Sequence, residues 1–434
     1  MKINVIGAGL AGCEAAMQIA DCGVNVTLYE MKPQKKTPAH KSDLFGELVC
    51  SNSLKAMRVE SAAGLLKEEM RRLGSFLMRC ADQCQVPAGG ALAVDREVFA
   101  RLVTEGIENH PNITVVHEEI TDIPTDGITV IATGPLTSDA LAEKIENIFG
   151  DSLSFFDAAA PIVTAESIDM DYAFAASRYE RGGEDDYINC PMNKEEYERF
   201  YNELINAERA PLHDFDVSNP KVYEGCMPVE VLAQRGEGTL RFGPMKPVGL
   251  TDPKTGHRPW AVLQLRKENT AGSMYNLVGF QTNLKFPEQK RVFSMIPALH
   301  RAEFVRYGVM HRNTFLCSPR ILNADFSVKE NKSLFFAGQI TGVEGYMESA
   351  ASGIMAGINA ANALLGKPAV VLPETTMIGA LSRYISDPGV KKFQPMGANF
   401  GVLPELNNRP RDKKERGKAY AERALQDLNN ILGE

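Results

Sequence analysis

Two cysteines stand where thiol chemistry could be done. Cys226 lies in Val-Tyr-Glu-Gly-Cys-Met-Pro-Val-Glu, residues 222–230, between Glu224 and Glu230. Neighbouring carboxylates disfavour a thiolate, so this sulfur is inert unless another feature outweighs them. The following residues supply one: Pro228 suits the first turn of a helix, Glu230 its acidic start and Gly236 its end, which puts the thiol just outside a helix N-terminus. Cys50 repeats the arrangement, with Ser51, Asn52 and Ser53 as candidate caps ahead of a helical run. Either cysteine could equally be a small buried apolar residue, and spacing alone leaves a joint catalytic role and an incidental one both open.

A second constellation reads as a nucleotide site. Residues 2–6 alternate like a short buried strand, Gly-Ala-Gly-Leu-Ala-Gly (7–12) makes a tight turn, residues 11–22 have a helical pattern, and Val-Asn-Val-Thr-Leu-Tyr-Glu is a second strand ending at Glu30. Gly7 permits the turn, Gly9 lets backbone approach a pyrophosphate, and Gly12 brings helix against strand, so that Ala8, Leu10 and Ala11 present helix-start amides to phosphate. Glu30 lies 18 residues past Gly12, where the fuller fingerprint puts the acid that accepts ribose hydroxyls. Two later strand-and-glycine elements decide for FAD: residues 129–136 with Thr133 and Gly134, and residues 333–353 with Gly338, Gln339, Gly345 and Tyr346. Gly338 lets backbone lie close to the ribityl chain, and the small-residue helix from Glu348 to Ala361 packs beneath the cofactor with its N-terminal dipole towards reduced flavin.

The elements that must position these groups form an α/β, Rossmann-like FAD-binding flavoprotein fold with an inserted α+β domain. The expected division is 1–164 (first part of the FAD domain), 165–330 (inserted substrate or tRNA domain), 331–370 (return of the FAD domain) and 371–434 (C-terminal segment ending in an amphipathic helix). Residues 37–54 read as a long loop, a length that implies a task. Residues 55–86 read as a helical tract with Leu65, Leu66, Met70, Leu73 and Leu77 at helical spacing, and a further helix is stopped by Pro111. The stretch 409–418 carries six basic and two acidic residues ahead of the final helix, either a solvated face or an RNA contact.

Bulk properties bound the reading. A chain of 434 residues, 44% hydrophobic, has room for two lobes, and a formal charge of −8 argues against a general polyanion binder without excluding a local basic face. Eight cysteines, with no Cys-x-x-Cys pair, are too few for a disulfide scaffold; they fit a reducing cytoplasm and imply no metal site. The N-terminal Leu-Ala-Gly-Cys imitates a lipoprotein cleavage box, but Gly7, Gly9 and Gly12 interrupt the apolar run that a signal needs. No apolar run reaches the roughly 18 residues of a membrane span.

Longer segments carry a resemblance. Glu-Leu-Val-Cys-Ser-Asn-Ser-Leu-Lys (47–55), Tyr-Glu-Gly-Cys-Met-Pro-Val-Glu (223–230), Thr-Leu-Arg-Phe-Gly-Pro-Met-Lys-Pro-Val-Gly-Leu (239–250), Arg-Pro-Trp-Ala-Val-Leu-Gln-Leu-Arg-Lys-Glu-Asn (258–269) and the 335–353 stretch resemble the folate- and FAD-dependent tRNA (uracil-54-C5)-methyltransferases over nearly the whole chain. Past Gly397 nothing distinctive matches. The resemblance implies FAD as cofactor, 5,10-methylenetetrahydrofolate and NAD(P)H as co-substrates, and the T-arm of tRNA as partner; it leaves the oligomeric state open. It makes Cys226 the nucleophile that adds to uracil C6 and Cys50 a second essential thiol, which guards the activated one-carbon unit at the flavin or removes the C5 proton. It places Tyr346 in the folate pocket. The competing readings are a longer relative that modifies the wobble uridine, which carries a C-terminal helical domain and lacks the Cys226 segment, a small-molecule flavin oxidoreductase, and a non-catalytic flavin-binding RNA chaperone.

Overall fold

The computed structural model describes residues 2–37, 39–150, 153–180, 186–210, 227–390 and 393–433. Cys226, with the rest of 211–226, lies outside them. The chain opens as its pattern predicts, with β1 (Lys2–Ile6), α1 (Leu10–Asp21) and β2 (Asn25–Glu30). After the long loop come β3 (Ser53–Ala56), α2 (Ala62–Arg72), α3 (Phe76–Gln83), β4 (Gln85–Val86), β5 (Ala91–Val94), α4 (Arg96–Glu108), β6 (Ile113–His117), β7 (Ile128–Ile131) and α5 (Asp139–Phe149). The tract 55–86 is therefore two helices framed by strands. Ser61 caps α2 by accepting from Gly64 N, Ser75 caps α3 by accepting from Met78 N, and Gly74 between them sits at φ +75°.

Residues 53–56 pair with β5 around an irregular register in which Lys55 takes φ +65°, so no helix begins there. The chain then leaves through β8 (Leu153–Ala158), builds β9 (Ile162–Thr164), β10 (Phe174–Ala175), β11 (Tyr187–Met192), α6 (Lys194–Asn206), α7 (Val229–Ala233), α8 (Thr239–Phe242), β12 (Ala261–Lys267), β13 (Met274–Leu277), α9 (Phe286–Phe293) and β14 (Phe304–Arg306), and returns through β15 (Met310–Phe315). It closes with α10 (Ser318–Ile321), β16 (Ser327–Val328), β17 (Asn331–Phe336), α11 (Tyr346–Leu364), α12 (Met377–Tyr384) and α13 (Lys413–Leu432).

Two sheets divide the molecule. The first has the order β16-β17-β7-β1-β2-β6, with β17, β7, β1, β2 and β6 parallel; the second, β10-β11-β12-β13-β9-β14, is antiparallel, and the antiparallel β8–β15 ribbon joins them. The strand at 331–336 thus completes the sheet begun by the first thirty residues. The second sheet already takes in β9 at Ile162 and the first regains the chain by Ser327, a few residues ahead of the borders expected at 165 and 331.

Beneath the parallel sheet α1 and α11 nearly touch. A Cβ on Gly353 would lie 2.2 Å from Ala11 O, and one on Gly357 would lie 2.7 Å from Ala15 O. Small residues in the last glycine-rich stretch are therefore what let these helices meet. The C-terminal segment belongs to the same core, into which Tyr420, Ala421, Ala424 and Leu428 of α13 are buried. Among the described residues no helix is long and apolar enough to cross a membrane.

Buried Glu69 fastens α2 to this segment by accepting Met377 N (2.7 Å) and Ile378 N (2.9 Å) at the start of α12. Burial pushes its carboxyl up to about 8. Between the unfolded value near 4.5 and 8 the native state holds a proton that the unfolded chain releases, so this group's contribution to stability falls as pH rises and the loss is complete above 8. Relative to Glu69→Gln, the wild type is expected to lose about 4 kcal/mol between pH 5 and pH 9, read as a pH-dependent gap between the two unfolding curves. A gap that stays constant with pH would refute this.

Candidate functional site

The turn after β1 is built so that only glycine fits. Gly7 sits at φ +98° with Ala132 O 2.8 Å from where a Cβ would be, and a Cβ on Gly12 would stand 1.7 Å from Gly7 O. Gly9 is the opposite case. It has nothing within 4 Å of its Cβ position and caps α1 with no side-chain hydrogen bond, so it opens the helix start to solvent. A phosphate would complete those amides.

The open space there is an elongated cleft in two halves. The first, of about 680 Å³, is lined by Gly7, Ala8, Gly9, Glu30, Thr133 and the apolar Ile120 and Leu141. The second, of about 740 Å³, shares Gly9 and Thr133 and continues past Leu10, Ala11 and Gly134 to Cys50, Gly338, Gln339 and Tyr346. Of the residues expected from sequence, Gly12 and Gly345 line neither half and shape the wall from behind. Glu30 accepts Ala8 N at 2.8 Å and Lys32 N at 3.0 Å, which leaves lone pairs for two ribose hydroxyls. The cleft therefore has the length for an extended dinucleotide running from Glu30 to Cys50.

Cys50 is held in a way its sequence neighbours do not suggest. Residues 51–53 cap no helix: β3 starts at Ser53, and α2 starts only at Ala62, so this thiol is not at a helix N-terminus. Tyr346, the first residue of α11, grips the loop instead. Its hydroxyl oxygen accepts Cys50 N at 2.7 Å and Ser51 N at 3.2 Å, and lies 3.0 Å from Cys50 Sγ. Burial, followed by the neighbouring Cys50, pushes the phenol well above its ordinary pKa, so it keeps its proton. Two amides occupy both acceptor positions of that oxygen, which leaves its hydrogen for the sulfur.

Three arginines and one asparagine fix the same loop. Arg96 donates to Leu48 O (2.7 Å) and pairs with Glu268 (2.6 Å), Arg306 donates to Val49 O (2.6 Å), and Arg266 donates to Ser51 Oγ (2.8 Å) and Asn52 Oδ1 (2.9 Å). Fully buried Asn52 also donates to Val94 O (3.1 Å) and Lys267 O (2.9 Å), and so ties the loop to both lobes. Sequence reading missed the three arginines and gave Asn52 the role of a helix cap, because no spacing links positions 52, 96, 266 and 306. The available signal is a charged residue within a mostly apolar strand, as at Arg266 in β12. Asn52→Ala takes a donor from two buried carbonyls and the acceptor from Arg266 Nε, and is expected to cost about 3 kcal/mol in chemical unfolding, with bound flavin lost at lower denaturant than in the wild type. Coincidence of its unfolding curve with the wild type's would show that the loop does not depend on this side chain.

Past Cys226 the expected helix is present as the five residues of α7, with Pro228 as its N-cap rather than inside its first turn, and Gly236 lies beyond its C-cap at Gln234. Val229 N donates to Gln281 O at 2.7 Å. Glu230 does not remain a surface charge: it is buried, accepts from Thr282 Oγ1 (2.8 Å) and Asn283 N (2.7 Å), and burial raises its carboxyl above the ordinary range. One of the two carboxylates flanking Cys226 is thereby engaged elsewhere.

Comparison with known proteins gives a consistent result. The glucose inhibited division protein A family profile matches residues 2–368. A protein named Methylenetetrahydrofolate--tRNA-(uracil-5-)-methyltransferase TrmFO from Acetivibrio thermocellus is 61% identical over 431 residues, covering 99% of this chain and 98% of that one. The protein of the same name from Anoxybacillus flavithermus is 59% identical over 433 residues, covering 100% and 99%. Among solved structures, Aquifex aeolicus GidA in its form I crystal aligns over all of this chain and 76% of its own length, with a TM-score of 0.70 at 17% identity, which speaks to fold alone.

Proposed function

Because the chain belongs to the glucose inhibited division protein A family, and within it to the methylenetetrahydrofolate- and tRNA-dependent uracil-5-methyltransferases, we propose how its residues carry out that reaction. The protein methylates C5 of a uracil in tRNA with methylenetetrahydrofolate as one-carbon donor. The target is uridine 54 of the T-loop, the reaction runs where tRNA is processed in the cytoplasm, and NAD(P)H restores the reductant. FAD, when bound, supplies the hydride that takes the one-carbon unit from the methylene to the methyl level.

The chain's own groups do the rest. Amides of residues 9–11 hold the pyrophosphate, Glu30, fixed by the Ala8 amide, holds the ribose, and Thr133, Gly134, Gly338 and Gln339 flank the flavin end. The inserted lobe presents the RNA. Uracil C5 is a weak nucleophile, and addition of the Cys226 thiolate at C6 makes it an enolate carbon able to attack the methylene unit. Cys50 then takes the C5 proton, since the Tyr346 O–H aimed at its sulfur stabilises negative charge there. Departure of that proton, delivery of hydride to the exocyclic carbon and expulsion of Cys226 leave a C5 methyl group and restore the ring.

The observation that carries the reading is the opening of Cys50 onto the flavin end of the cleft, beside Gly338 and Tyr346. The test is incubation with methylenetetrahydrofolate, reduced nicotinamide cofactor and unmodified tRNA, followed by nuclease mapping of new methyl groups by mass spectrometry. A methyl at uridine 54 is expected. Flavin reduction with no transfer to RNA would overturn the proposal in favour of a small-molecule oxidoreductase.

A further inference from the structure

An anionic substrate several nanometres long needs a cationic surface, and the protein's net charge of −8 means that surface must be local. One candidate lies beside the catalytic loop. The loop 57–61, the segment around Phe400 and the start of α13 enclose a solvent-open hollow of about 1630 Å³, lined by Arg58, Arg409, Lys413, Lys414 and Arg416. Three acids also line it, and two are engaged: Asp412 caps α13 by accepting Lys414 N and Glu415 N, and Glu405 lies 3.5 Å from Arg409. Arg58, Lys413, Lys414 and Arg416 form no salt bridge among the described residues. Arg58, Lys413 and Lys414 are exposed.

The frame under these charges is rigid and joined to the active site. A Cβ on Gly417 would lie 2.3 Å from Glu60 O and one on Gly64 1.9 Å from Arg58 O, so α13 and α2 grip the loop from both sides. Phe400 stacks on Tyr420 with ring centroids 5.1 Å apart. Buried Glu348, two residues after Tyr346, accepts both Lys55 Nζ (2.8 Å) and Ala398 N (2.9 Å). Strand β3 leads from the Cys50 loop to Lys55 and Arg58, and Ala398 leads to Phe400. The hollow is therefore a few residues from the Cys50 anchor along two separate paths.

We propose that this hollow, formed by loop 57–61 and the first turn of α13, docks backbone phosphates of the substrate tRNA outside the nucleotide that is methylated. The proposal rests on the tRNA reading above. Contacts of this kind carry affinity and register rather than sequence. The test is equilibrium binding of unmodified tRNA at several salt concentrations to the flavin-loaded wild type and to Arg58→Ala/Lys413→Ala/Lys414→Ala. The variant's Kd is expected to rise at least about tenfold near physiological salt, and the slope of log K against log salt to shrink by about 2 to 3. Lys413→Arg/Lys414→Arg is expected to keep wild-type binding.

If the triple variant melts early or loses flavin, Lys413→Glu/Lys414→Glu at two exposed positions carries the same test. Unchanged Kd and slope in variants whose wild-type parent methylates tRNA would overturn the proposal, as they would if the cluster served an acidic protein or a membrane instead. Failure of the wild type to methylate tRNA would fall on the functional reading, not on this one.

Discussion

Gly12→Ala is expected to give a protein without flavin. The new methyl would start 1.7 Å from Gly7 O and 3.4 Å from Ala132 Cβ, and neither side can yield. Gly7 has no slack to give, since even a Cβ there would lie 2.8 Å from Ala132 O and 2.9 Å from Thr133 Cα, and Gly353 of α11 backs the helix at Ala11. The turn would have to lift off β7, which carries the helix-start amides away from the pyrophosphate. Overpacking of this kind costs about 3 kcal/mol or more, and the same loss expressed in cofactor binding is at least about a hundredfold in Kd. Gly9→Ala is the matched control, since its Cβ meets no protein atom within 4 Å. It is expected to melt like the wild type without cofactor while binding FAD poorly, because the methyl occupies the phosphate's approach. Flavin absorbance and thermal unfolding of the two purified variants decide it, and a yellow Gly12→Ala protein of normal stability would mean that the turn does not hold the cofactor as described.

This pair shows why the nucleotide half of the site was legible in the sequence. Gly7, Gly9, Gly12 and Glu30 belong to one βαβ unit, where three glycine positions and one strand end are all set by local spacing. The Cys50 half follows a different rule. Its loop is positioned by Tyr346, Arg266 and Arg306, each more than 200 residues away in the chain. The motif reading of a cap at residues 51–53 failed for a reason the structure makes plain: Asn52 turns its side chain inward to Val94, Lys267 and Arg266, and so is unavailable to cap a helix. Polar residues before an apolar run look the same whether they cap a helix or tie two lobes together. The helical reading of 55–86 holds for α2 and α3 and fails at its two ends, which are strands; Leu65, Leu66, Met70 and Leu77 share one core, and only Gly74 and Ser75 mark the break between the helices.

That cross-lobe anchoring has a chemical consequence. Because Arg266 and Arg306 come from the inserted lobe while Arg96 and Tyr346 come from the flavin lobe, the sulfur at 50 is fixed relative to both the cofactor cleft and the inserted lobe. The segment after Cys226 is anchored in turn, through Val229 N on Gln281 O and the Glu230 carboxylate on Thr282 and Asn283. The Cys50 loop and the residues from 227 onward are thus each tied down on rigid structure, and the division of labour between the two thiols can be separated by experiment.

Cys226→Ala and Cys50→Ala are both expected to lower methyl transfer by about a thousandfold or more, but to stop at different points. Without the sulfur at 226 no bond to uracil C6 forms, so the RNA stays unmodified and migrates freely under denaturing conditions. Without the sulfur at 50 the ring can still be attacked at C6 and can still take up the one-carbon unit at C5. Its C5 proton then has no acceptor, and expulsion of Cys226 requires that proton to leave. Tyr346 cannot substitute, because burial holds its proton in place and its two acceptor positions are filled by the amides of Cys50 and Ser51. A covalent protein–RNA complex is therefore expected to build up in Cys50→Ala when methylenetetrahydrofolate, reductant and tRNA are all present, and to vanish in the double variant with Cys226→Ala. A denaturing gel with labelled tRNA reads both outcomes. Free, unmethylated tRNA and no trapped complex in Cys50→Ala would take the proton-acceptor role from Cys50 and leave it as the group that shields the activated one-carbon unit from water.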